Sequence, residues 1–286
     1  MKLGLFGINT DACGGGDPDL IVRVAVAAEA AGWESVWTGE HYVLPTEYAP
    51  PSPAPGDTPM LDPFVVLGII ASHTSTLLLG TGVTVVPLHQ PLALAKRVAS
   101  LDVLSRGRFL FGVGVGYLEP EFRALEAPFD RRGRRLMDQL AAMQAVWTDE
   151  APSFQGQFLS FDGVRAEPRP LQRPTPPLHF GGYVPHSFRR AVQHGHGWYG
   201  FALDLPGIEH CLAGLRAAAS EVERPGSLPP LEISVTPHPR LELDKATLDQ
   251  LAELGVDRLI LLPRWRRRSD GEELLRFVAE SPGQLL

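Results

Sequence analysis

The sequence predicts an α/β fold, a closed (β/α)8 TIM barrel of parallel strands, and three observations lead to it. Short apolar runs bounded by Gly or Pro alternate with longer segments of helical spacing. Eight such strand–helix pairs follow one another, which favours a closed barrel over an open doubly wound sheet. The 286 residues, 44% of them hydrophobic, match a barrel of about 250 residues, so we expect residues 1–286 to form one domain.

The predicted elements follow in order from these patterns. The strands are the apolar runs at 2–8, 34–38, 77–85, 108–115, 177–181, 197–201, 231–236 and 257–262. The helices lie at 18–32, 62–75, 91–104, 131–148, 185–195, 206–222, 244–254 and 270–280. Asp17 followed by Pro18 is typical of a helix start, and Gly32 and Gly255 are typical of helix ends.

Two segments interrupt the alternation. The Pro-rich segment 44–59 follows the second strand and is longer than an ordinary loop. Because it lies on the side of a barrel where active sites form, we expect it to be a lid or a substrate wall. The insertion 151–176 before the fifth strand contains FQGQFLSFDG and a Pro-rich tail, which predicts a hairpin and a returning strap.

Charge and composition exclude several classes of function. A net charge of −7 argues against nucleic acid as the main partner. We see neither a secretory signal nor an apolar run of about 20 residues, so we expect a cytoplasmic protein without a membrane partner. The cysteines, Cys13 and Cys211, indicate neither a disulfide framework nor a metal cluster, and no other spacing suggests a metal site. A small-molecule substrate is therefore expected.

The candidate catalytic residues follow the second strand, because a barrel places its active site at the C-terminal ends of its strands. His41 can exchange a proton near neutral pH, and Glu40 beside it could orient or charge the imidazole. A histidine that merely completes a strand end is the structural alternative. Position in the barrel favours a general acid or base.

Glycines mark the candidate cofactor contacts, since a backbone without a side chain lets a flat ring or a phosphate approach closely. The candidates at strand ends are Asn9, Gly82, Val83, Gly114, Gly116, Tyr117, Gly181, Gly182 and Tyr183. Tight packing inside the barrel is the alternative explanation for the glycines. The run GVGVGY at 112–117 is not a Rossmann fingerprint, because no acidic ribose ligand follows it in a βαβ unit.

A phosphate site is predicted at the start of the helix that follows the fifth strand, just after Gly181 and Gly182. Free N–H groups from about Pro185 to Phe188 would point at the barrel mouth, and Ser187 could add a hydroxyl donor.

Two groups of arginines remain. The cluster Arg264–Arg268 follows the eighth strand and is either an anion site at the mouth or a solvated surface. The group at 131–135 begins the fourth helix, and we expect it to lie away from the strand ends and to make surface or subunit contacts.

Four segments resemble a known family. They are AAEAAGWESVWTGEHYVLP at 27–45, LGTGVTVVPLHQPLALAKRVASLDVLSRGRF at 79–109, FGVGVGYLEPEFRALEAPFDRRGRRLMDQL at 111–140 and HFGGYVPHSFRRAVQHGHGWYG at 179–200. The chain resembles the luciferase-like monooxygenase superfamily, and within it the branch predicted to use the deazaflavin cofactor F420. The fold implied is a bacterial-luciferase-like barrel, and the family's habits imply a homodimer.

The resemblance also implies roles for particular residues. The cofactor ring would lie across the mouth against a bulge in the third strand, whose non-proline cis peptide would by position be Gly82–Val83. His41 would act in proton transfer. The glycines after the fourth and fifth strands would approach the ring and the phosphate, namely Gly114, Gly116, Gly181 and Gly182.

The sequence departs from the family at three places. Relatives that oxidise sugar phosphates have an acidic residue where this chain has Tyr117, with Glu119 and Glu121 further on, so that activity is not implied. His196 and His89 stand where the family often has an acidic and a basic residue. Three functions stay open: an F420-dependent oxidoreductase, an FMN-dependent monooxygenase, and a non-catalytic protein that binds flavin or deazaflavin.

Overall fold

The computed structural model describes residues 1–13, 16–263 and 271–285. In chain order its strands are β1 (Lys2–Phe6), β2 (Ser35–Thr38), β3 (Leu78–Thr81), β4 (Thr84–Val85), β5 (Phe109–Gly114), β6 (Phe154–Gln155), β7 (Ser160–Phe161), β8 (Leu178–Gly181), β9 (Gly197–Leu203), β10 (Glu232–Pro237) and β11 (Arg258–Leu261). Parallel pairing runs β1-β2-β3-β5-β8-β9-β10-β11 and returns from β11 to β1. The predicted eight-stranded TIM barrel is confirmed.

Helices surround the barrel and run back from its C-terminal end. They are α1 (Pro18–Ala31), α2 (Pro63–His73), α3 (Pro91–Leu104), α4 (Glu119–Ala124), α5 (Arg132–Thr148), α6 (Pro185–His194), α7 (Leu205–Glu221), α8 (Lys245–Glu253) and α9 (Gly271–Leu285). Several begin at an aspartate whose carboxylate accepts a hydrogen bond from a first-turn N–H, as Asp17 does from Asp19 at 3.0 Å. The short helix α4 was not predicted. None of the helices in the described ranges is long and apolar enough to cross a membrane.

The third strand differs from its prediction as one run over 77–85. It breaks after Thr81 at the peptide Gly82–Val83, which is cis as predicted, and β4 then pairs with the end of β5. The cause lies opposite the break, where a Cβ atom on Gly112 would overlap the carbonyl oxygen of Thr81. β3 and β5 therefore approach too closely at Gly112 for the ladder to continue.

The last helix extends five residues beyond its predicted end and includes Pro282. A proline inside a helix has no N–H for the carbonyl four residues earlier, which here is that of Val278. The indole N–H of Trp33 donates to this carbonyl at 2.7 Å. A donor from a distant segment thus replaces the missing one.

One of the two interruptions of the alternation has the predicted structure. The insertion contains the predicted hairpin, in which β6 and β7 pair antiparallel. The Pro-rich segment 44–59 forms turns between β2 and α2, and most of its residues are exposed. Its role as a lid or wall stays a prediction.

Charged residues fill the N-terminal end of the barrel. Arg258, whose side chain is 2% exposed, donates to both carboxylate oxygens of Glu34 at 2.6 and 2.7 Å and also to Glu232. His179 is buried beside this pair, and burial, helped by the charge of Arg258, lowers its pKa to about 3. Further along the barrel the interior becomes apolar, with Trp37 and Tyr199 stacked at 5.5 Å.

Candidate functional site

An apolar floor closes the barrel beneath its C-terminal mouth. It is formed by Phe6 at the end of β1, Val83 of the cis peptide, Phe201 of β9 and Leu262 after β11, which pack on the interior cluster. The rings of Phe6 and Phe201 lie with centroids 4.8 Å apart. Ligand sites in proteins combine such an apolar surface with a few convergent polar groups, and the polar groups here stand at the rim.

The partner of His41 is Glu121, and the prediction that Glu40 orients His41 is wrong. His41 Nδ1 lies 2.9 Å from one carboxylate oxygen of Glu121, and the backbone N–H of Tyr42 donates to the other at 2.6 Å. The carboxylate is an acceptor, so Nδ1 carries a proton and Nε2 of the neutral imidazole is an acceptor. Nε2 faces the hydroxyl of Tyr117 at 3.3 Å. We call Glu121, His41 and Tyr117 the His41 chain.

Glu121 was missed because it lies far from His41 in sequence and on a helix too short to show a period. It is 80 residues from His41 and belongs to the six-residue helix α4, which follows β5. The acidic residues after the β5 glycines were the available signal. Their direction depends on α4, which the pattern did not reveal.

Glu40 turns the other way and holds the bulge. Its carboxylate accepts from the backbone N–H of Val85 at 2.6 Å, and both of its oxygens lie 3.1 Å from His89 Nε2. His89 Nδ1 lies 3.3 Å from the hydroxyl of Tyr42, which also accepts from Arg97 at 3.5 Å. We call Glu40, His89 and Tyr42 the His89 chain. Two carboxylate–imidazole–phenol chains therefore stand side by side at the mouth.

The phenols of both chains stay protonated near neutral pH. Burial, together with the charge of Glu121, raises the pKa of Tyr117 to about 12. Burial, together with the charge of Glu40, raises the pKa of Tyr42 to about 12. Each phenol is therefore a hydrogen-bond donor at the end of its chain.

At the mouth glycines, protein atoms fill the space that a side chain would take. A Cβ on Gly114 would lie 2.5 Å from Val83 Cγ2, and one on Gly181 would lie 3.2 Å from Val83 Cγ1. Gly116 and Gly182 have positive φ angles of 74° and 122°, and added Cβ atoms would crowd Val85 and Ser187. Packing against Val83 and Val85 therefore accounts for Gly114, Gly181 and Gly116, and the first turn of α6 accounts for Gly182. Contact of these glycines with a ring stays a prediction.

Ser187 uses its polar atoms within the protein. Its hydroxyl donates to the carbonyl of Val184 at 2.7 Å, and the N–H groups of Ser187 and Phe188 donate to the same carbonyl. Pro185 has no N–H to offer. The expected row of free donors from Pro185 to Phe188 is thus wrong, since the first turn folds back on its own carbonyl.

Asn9 and Tyr183 also fasten parts of the mouth together. The amide of Asn9 donates to the carbonyls of Gly39 and Leu61 at 2.9 and 2.7 Å, and its oxygen accepts from the Gly39 N–H at 3.1 Å. The hydroxyl of Tyr183 donates to the Phe201 carbonyl at 2.7 Å and accepts from the Phe201 N–H at 2.9 Å. Cofactor contacts by these two residues stay predictions.

Arg132 of α5 lies at the mouth, which corrects for this residue the expectation that the group at 131–135 lies away from the strand ends. Arg132 Nε donates to the carbonyl of Gly116, just after β5, at 3.0 Å. The reason is general: a helix that follows a barrel strand begins at the same end as that strand's C-terminus. The cluster Arg264–Arg268 lies outside the described residues.

Arg190 of α6 adds a further positive charge at this rim. Its guanidinium lies against Gly133 at the start of α5. Within residues 1–13, 16–263 and 271–285 we find no carboxylate paired with it, and burial lowers its pKa. The same ranges contain no group of three His, Cys, Asp or Glu side chains placed to hold a metal ion.

Comparison with known proteins supplies the context of this site. The family model described as luciferase-like monooxygenase matches residues 1–261. A Mycobacterium tuberculosis protein described as uncharacterized is 32% identical over 241 residues, which cover 82% of this chain and 83% of that protein.

Two relatives have described activities. The F420-dependent hydroxymycolic acid dehydrogenase of Mycobacterium tuberculosis is 30% identical over 72% of this chain and 55% of its own length. The oxygenase component of the flavin-dependent trigonelline monooxygenase of Acinetobacter baylyi is 30% identical over 62% of this chain and 46% of its own length. The alignments therefore span about half of these two proteins.

Solved structures share the barrel. The monooxygenase RslO1 from Streptomyces bottropensis superposes with a TM-score of 0.78 at 22% identity, covering 100% of both chains. The F420-dependent tetrahydromethanopterin reductase from Methanopyrus kandleri superposes with a TM-score of 0.75 at 16% identity, covering 100% of this chain and 99% of that one. At these identities the likeness shows the fold alone.

Proposed function

Because this chain belongs to the luciferase-like monooxygenase family and is on that ground an oxidoreductase, we propose that it uses F420 to transfer a hydride to or from a small organic substrate. The observation that carries the proposal is the His41 chain beside the apolar floor. Moving a hydride between a cofactor and a carbonyl or alcohol leaves one proton to be placed, and an acid–base group at the rim places it. The F420-dependent relative, aligned over 72% of this chain, supports the choice of cofactor.

The residues present fit a deazaflavin. The floor of Phe6, Val83, Phe201 and Leu262 would hold the flat ring by apolar contact. When bound, the cofactor supplies the carbon that accepts or donates the hydride. The protein's own part is to orient the ring, to exclude water from the floor and to hold the proton on the His41 chain.

A phosphate would be stabilised by the rim arginines. The guanidinium of Arg190 lies at the N-terminus of α5, which is the positive end of the helix dipole. An anion bound between them would offset the repulsion of these two positive charges. Arg132 is fixed close by through its hydrogen bond to Gly116. The unpaired charge of Arg190 therefore supports an anionic cofactor group at the gap between α5 and α6.

The proposal is tested by measuring dissociation constants for F420 and FMN side by side in the native protein, in Arg190→Gln and in Arg189→Gln. Arg189 is a matched control on the same helix, paired with Glu221 at 2.7 Å. We expect the native protein to bind F420 more tightly than FMN. The affinity should fall about tenfold or more in Arg190→Gln, because a hydrogen bond to a charged group contributes about 1.5–3 kcal/mol. The affinity of the Arg189→Gln control should change little. Equal dissociation constants for the native protein and Arg190→Gln would contradict a phosphate site at this rim.

The second candidate is an FMN-dependent monooxygenase, which the trigonelline monooxygenase relative supports. Reduced flavin reacts with oxygen, whereas reduced deazaflavin largely does not. Rapid aerobic reoxidation of the cofactor in the protein, with FMN bound more tightly than F420, would replace the first proposal by this one. A non-catalytic carrier is less favoured, since binding alone needs no proton chain at the rim.

Two earlier expectations accompany the proposal. The cluster Arg264–Arg268 would contact the polyglutamate tail of F420, which predicts an affinity that falls with salt. The homodimer implied by the family resemblance also stays a prediction.

A further inference from the structure

Tyr117 is the member of the His41 chain that reaches solvent at the mouth. Tyr117 is 48% exposed, whereas the side chains of His41 and Glu121 are 12% and 2% exposed. A substrate that enters the mouth therefore meets the phenol before it can meet the imidazole.

Tyr183, Tyr42 and Tyr117 are exposed at the mouth and differ in what their hydroxyls do. The hydroxyl of Tyr183 both donates to and accepts from the backbone of Phe201, so its proton is committed. The hydroxyl of Tyr42 lies between His89 and Arg97. In the described part of the chain the hydroxyl of Tyr117 has one polar partner, His41 Nε2. It therefore keeps a direction in which to bond a ligand.

The His41 chain can carry a proton in two arrangements. With a neutral imidazole, Glu121 accepts from Nδ1 and the Tyr117 hydroxyl donates to Nε2. With an imidazolium, Nε2 donates to the phenol oxygen, and the phenol proton turns outward to the mouth. In both arrangements Nδ1 keeps its hydrogen bond to the buried Glu121 carboxylate, 2.9 Å away.

We propose that Tyr117, and not His41, is the group that exchanges a proton with the substrate, and that the substrate is an uncharged carbonyl compound or the corresponding alcohol. The inference rests on the proposed hydride transfer. In the reducing direction a hydride supplied by the bound cofactor would form the new C–H bond, and the carbonyl π electrons would move to oxygen. That oxygen takes the phenol proton, the phenol oxygen takes the Nε2 proton of the imidazolium, and neutral His41 remains. Oxidation of the alcohol is the reverse.

The uncharged character of the substrate follows from the charges around the phenol. The buried carboxylate of Glu121 lies 2.9 Å from His41 Nδ1, and the Tyr117 hydroxyl lies 3.3 Å from Nε2 of the same ring, so one imidazole separates the phenol from a negative charge. A phenol that stays protonated donates a hydrogen bond to a neutral oxygen. An anionic group beside the phenol would be repelled by the Glu121 carboxylate, whereas the guanidinium of Arg132 donates through Nε to the Gly116 carbonyl.

The experiment compares Tyr117→Phe with His41→Gln. The probes are reduced F420 with a panel of cyclic and open-chain ketones and aldehydes, and the same compounds carrying a carboxylate. We expect turnover of uncharged members only, a loss of about 10²–10⁴-fold in kcat for Tyr117→Phe, and a smaller loss for His41→Gln. His41→Gln keeps the phenol, which can regain its proton from solvent.

Two further readouts separate this inference from the proposed function. Dissociation constants for F420 should change little in Tyr117→Phe, because phenylalanine keeps the ring with which Tyr117 would contact the cofactor. The NMR shift of His41 Nε2 in cofactor-free protein should move in that variant while Nδ1 stays in place. Three results would overturn the role of Tyr117. They are F420 binding with equal turnover by the native protein and Tyr117→Phe, a larger loss of kcat in His41→Gln than in Tyr117→Phe, and turnover of the carboxylate-bearing compounds alone. Failure to bind F420 would overturn the proposed function instead.

Discussion

Glu40 carries its charge into the protein and away from His41, although the two residues are neighbours in the chain. Its side chain is 2% exposed, and both carboxylate oxygens accept hydrogen bonds from buried donors. One donor is the backbone N–H of Val85, two residues after the cis peptide, so Glu40 fixes the position of the bulge. Glu121 fixes the imidazole in the same manner. The two carboxylates are positioning residues for different parts of one site.

Removing the Glu40 carboxylate tests this assignment. In Glu40→Ala the Val85 N–H and His89 Nε2 lose their acceptor in a buried setting, so we expect the free energy of unfolding to fall by about 3 kcal/mol. Glu40→Gln keeps an oxygen for Val85 and should lose less. Urea unfolding measures both variants, and an unchanged midpoint in Glu40→Ala would contradict the assignment.

Sequence reasoning placed His41 at the mouth correctly but paired it with the wrong carboxylate. A position at a strand end follows from the order of elements, which a hydrophobic pattern reveals. The direction of a side chain in the following loop depends on contacts over 80 residues, as between His41 and Glu121, and no local pattern carries that information. Tight packing of the glycines was an alternative from the start, but the partner of Gly114 and Gly181 was hidden for the same reason, since it is Val83 of the cis peptide between β3 and β4.

At the scale of elements, the approach of β3 to β5 at Gly112 determines where the strand breaks. Its counterpart is Gly68 within α2, where an added Cβ would meet nothing within 4 Å. The two glycines thus occupy opposite situations. Hydrophobic periodicity predicted both the strand and the helix, but it could not show that Gly112 is crowded and Gly68 is not. Crowding between two strands depends on both of them, so the pattern of one strand does not reveal it.

Alanine at these two glycines should act in opposite directions. We expect Gly112→Ala to lower the free energy of unfolding by about 3 kcal/mol, since the methyl group has to displace the Thr81 carbonyl. Gly68→Ala should raise it by about 0.5–1 kcal/mol, because alanine favours the helix without a clash. Chemical denaturation of both variants checks the signs. Tolerance of alanine at Gly112 would mean that the close approach does not cause the break.

At the scale of the whole molecule, the barrel has one end filled by charges and one end lined by apolar rings. Burial alone would raise the pKa of Glu232, but the charge of Arg258 and the hydrogen bond from Lys2 outweigh it and hold the pKa below its ordinary value. His179 has its pKa lowered to about 3, chiefly by burial. Both groups therefore bind a proton more readily in the unfolded chain than in the folded one.

The sign of the pH dependence follows. As the pH falls below the unfolded pKa of about 6.5, His179 is protonated in the unfolded chain and stays neutral in the folded one, so stability is lost progressively towards pH 3. We expect about 2 kcal/mol of this loss between about pH 6.5 and pH 5. Glu232 adds a loss in the same direction at lower pH, as its carboxylate is protonated first in the unfolded chain.

His179→Gln, neutral at every pH, should abolish most of the loss between about pH 7 and pH 5 in urea unfolding. His210→Gln on the exposed face of α7 is the control and should leave it unchanged. Equal pH dependence in native protein and His179→Gln would assign the effect to other groups.

The division of residues 40, 41 and 42 between two hydrogen-bonded chains limits how this lineage can vary in length. One amino acid gained or lost between Thr38 and Glu40 would shift Glu40 and His41 each to the place of its neighbour, so that both imidazoles lose their carboxylates at once. No single substitution restores such a frame. Insertions and deletions should therefore be tolerated only in the exposed turns beyond residue 44. A scan that inserts one residue at each position of this connection should show loss of activity before residue 44 and retained activity after it.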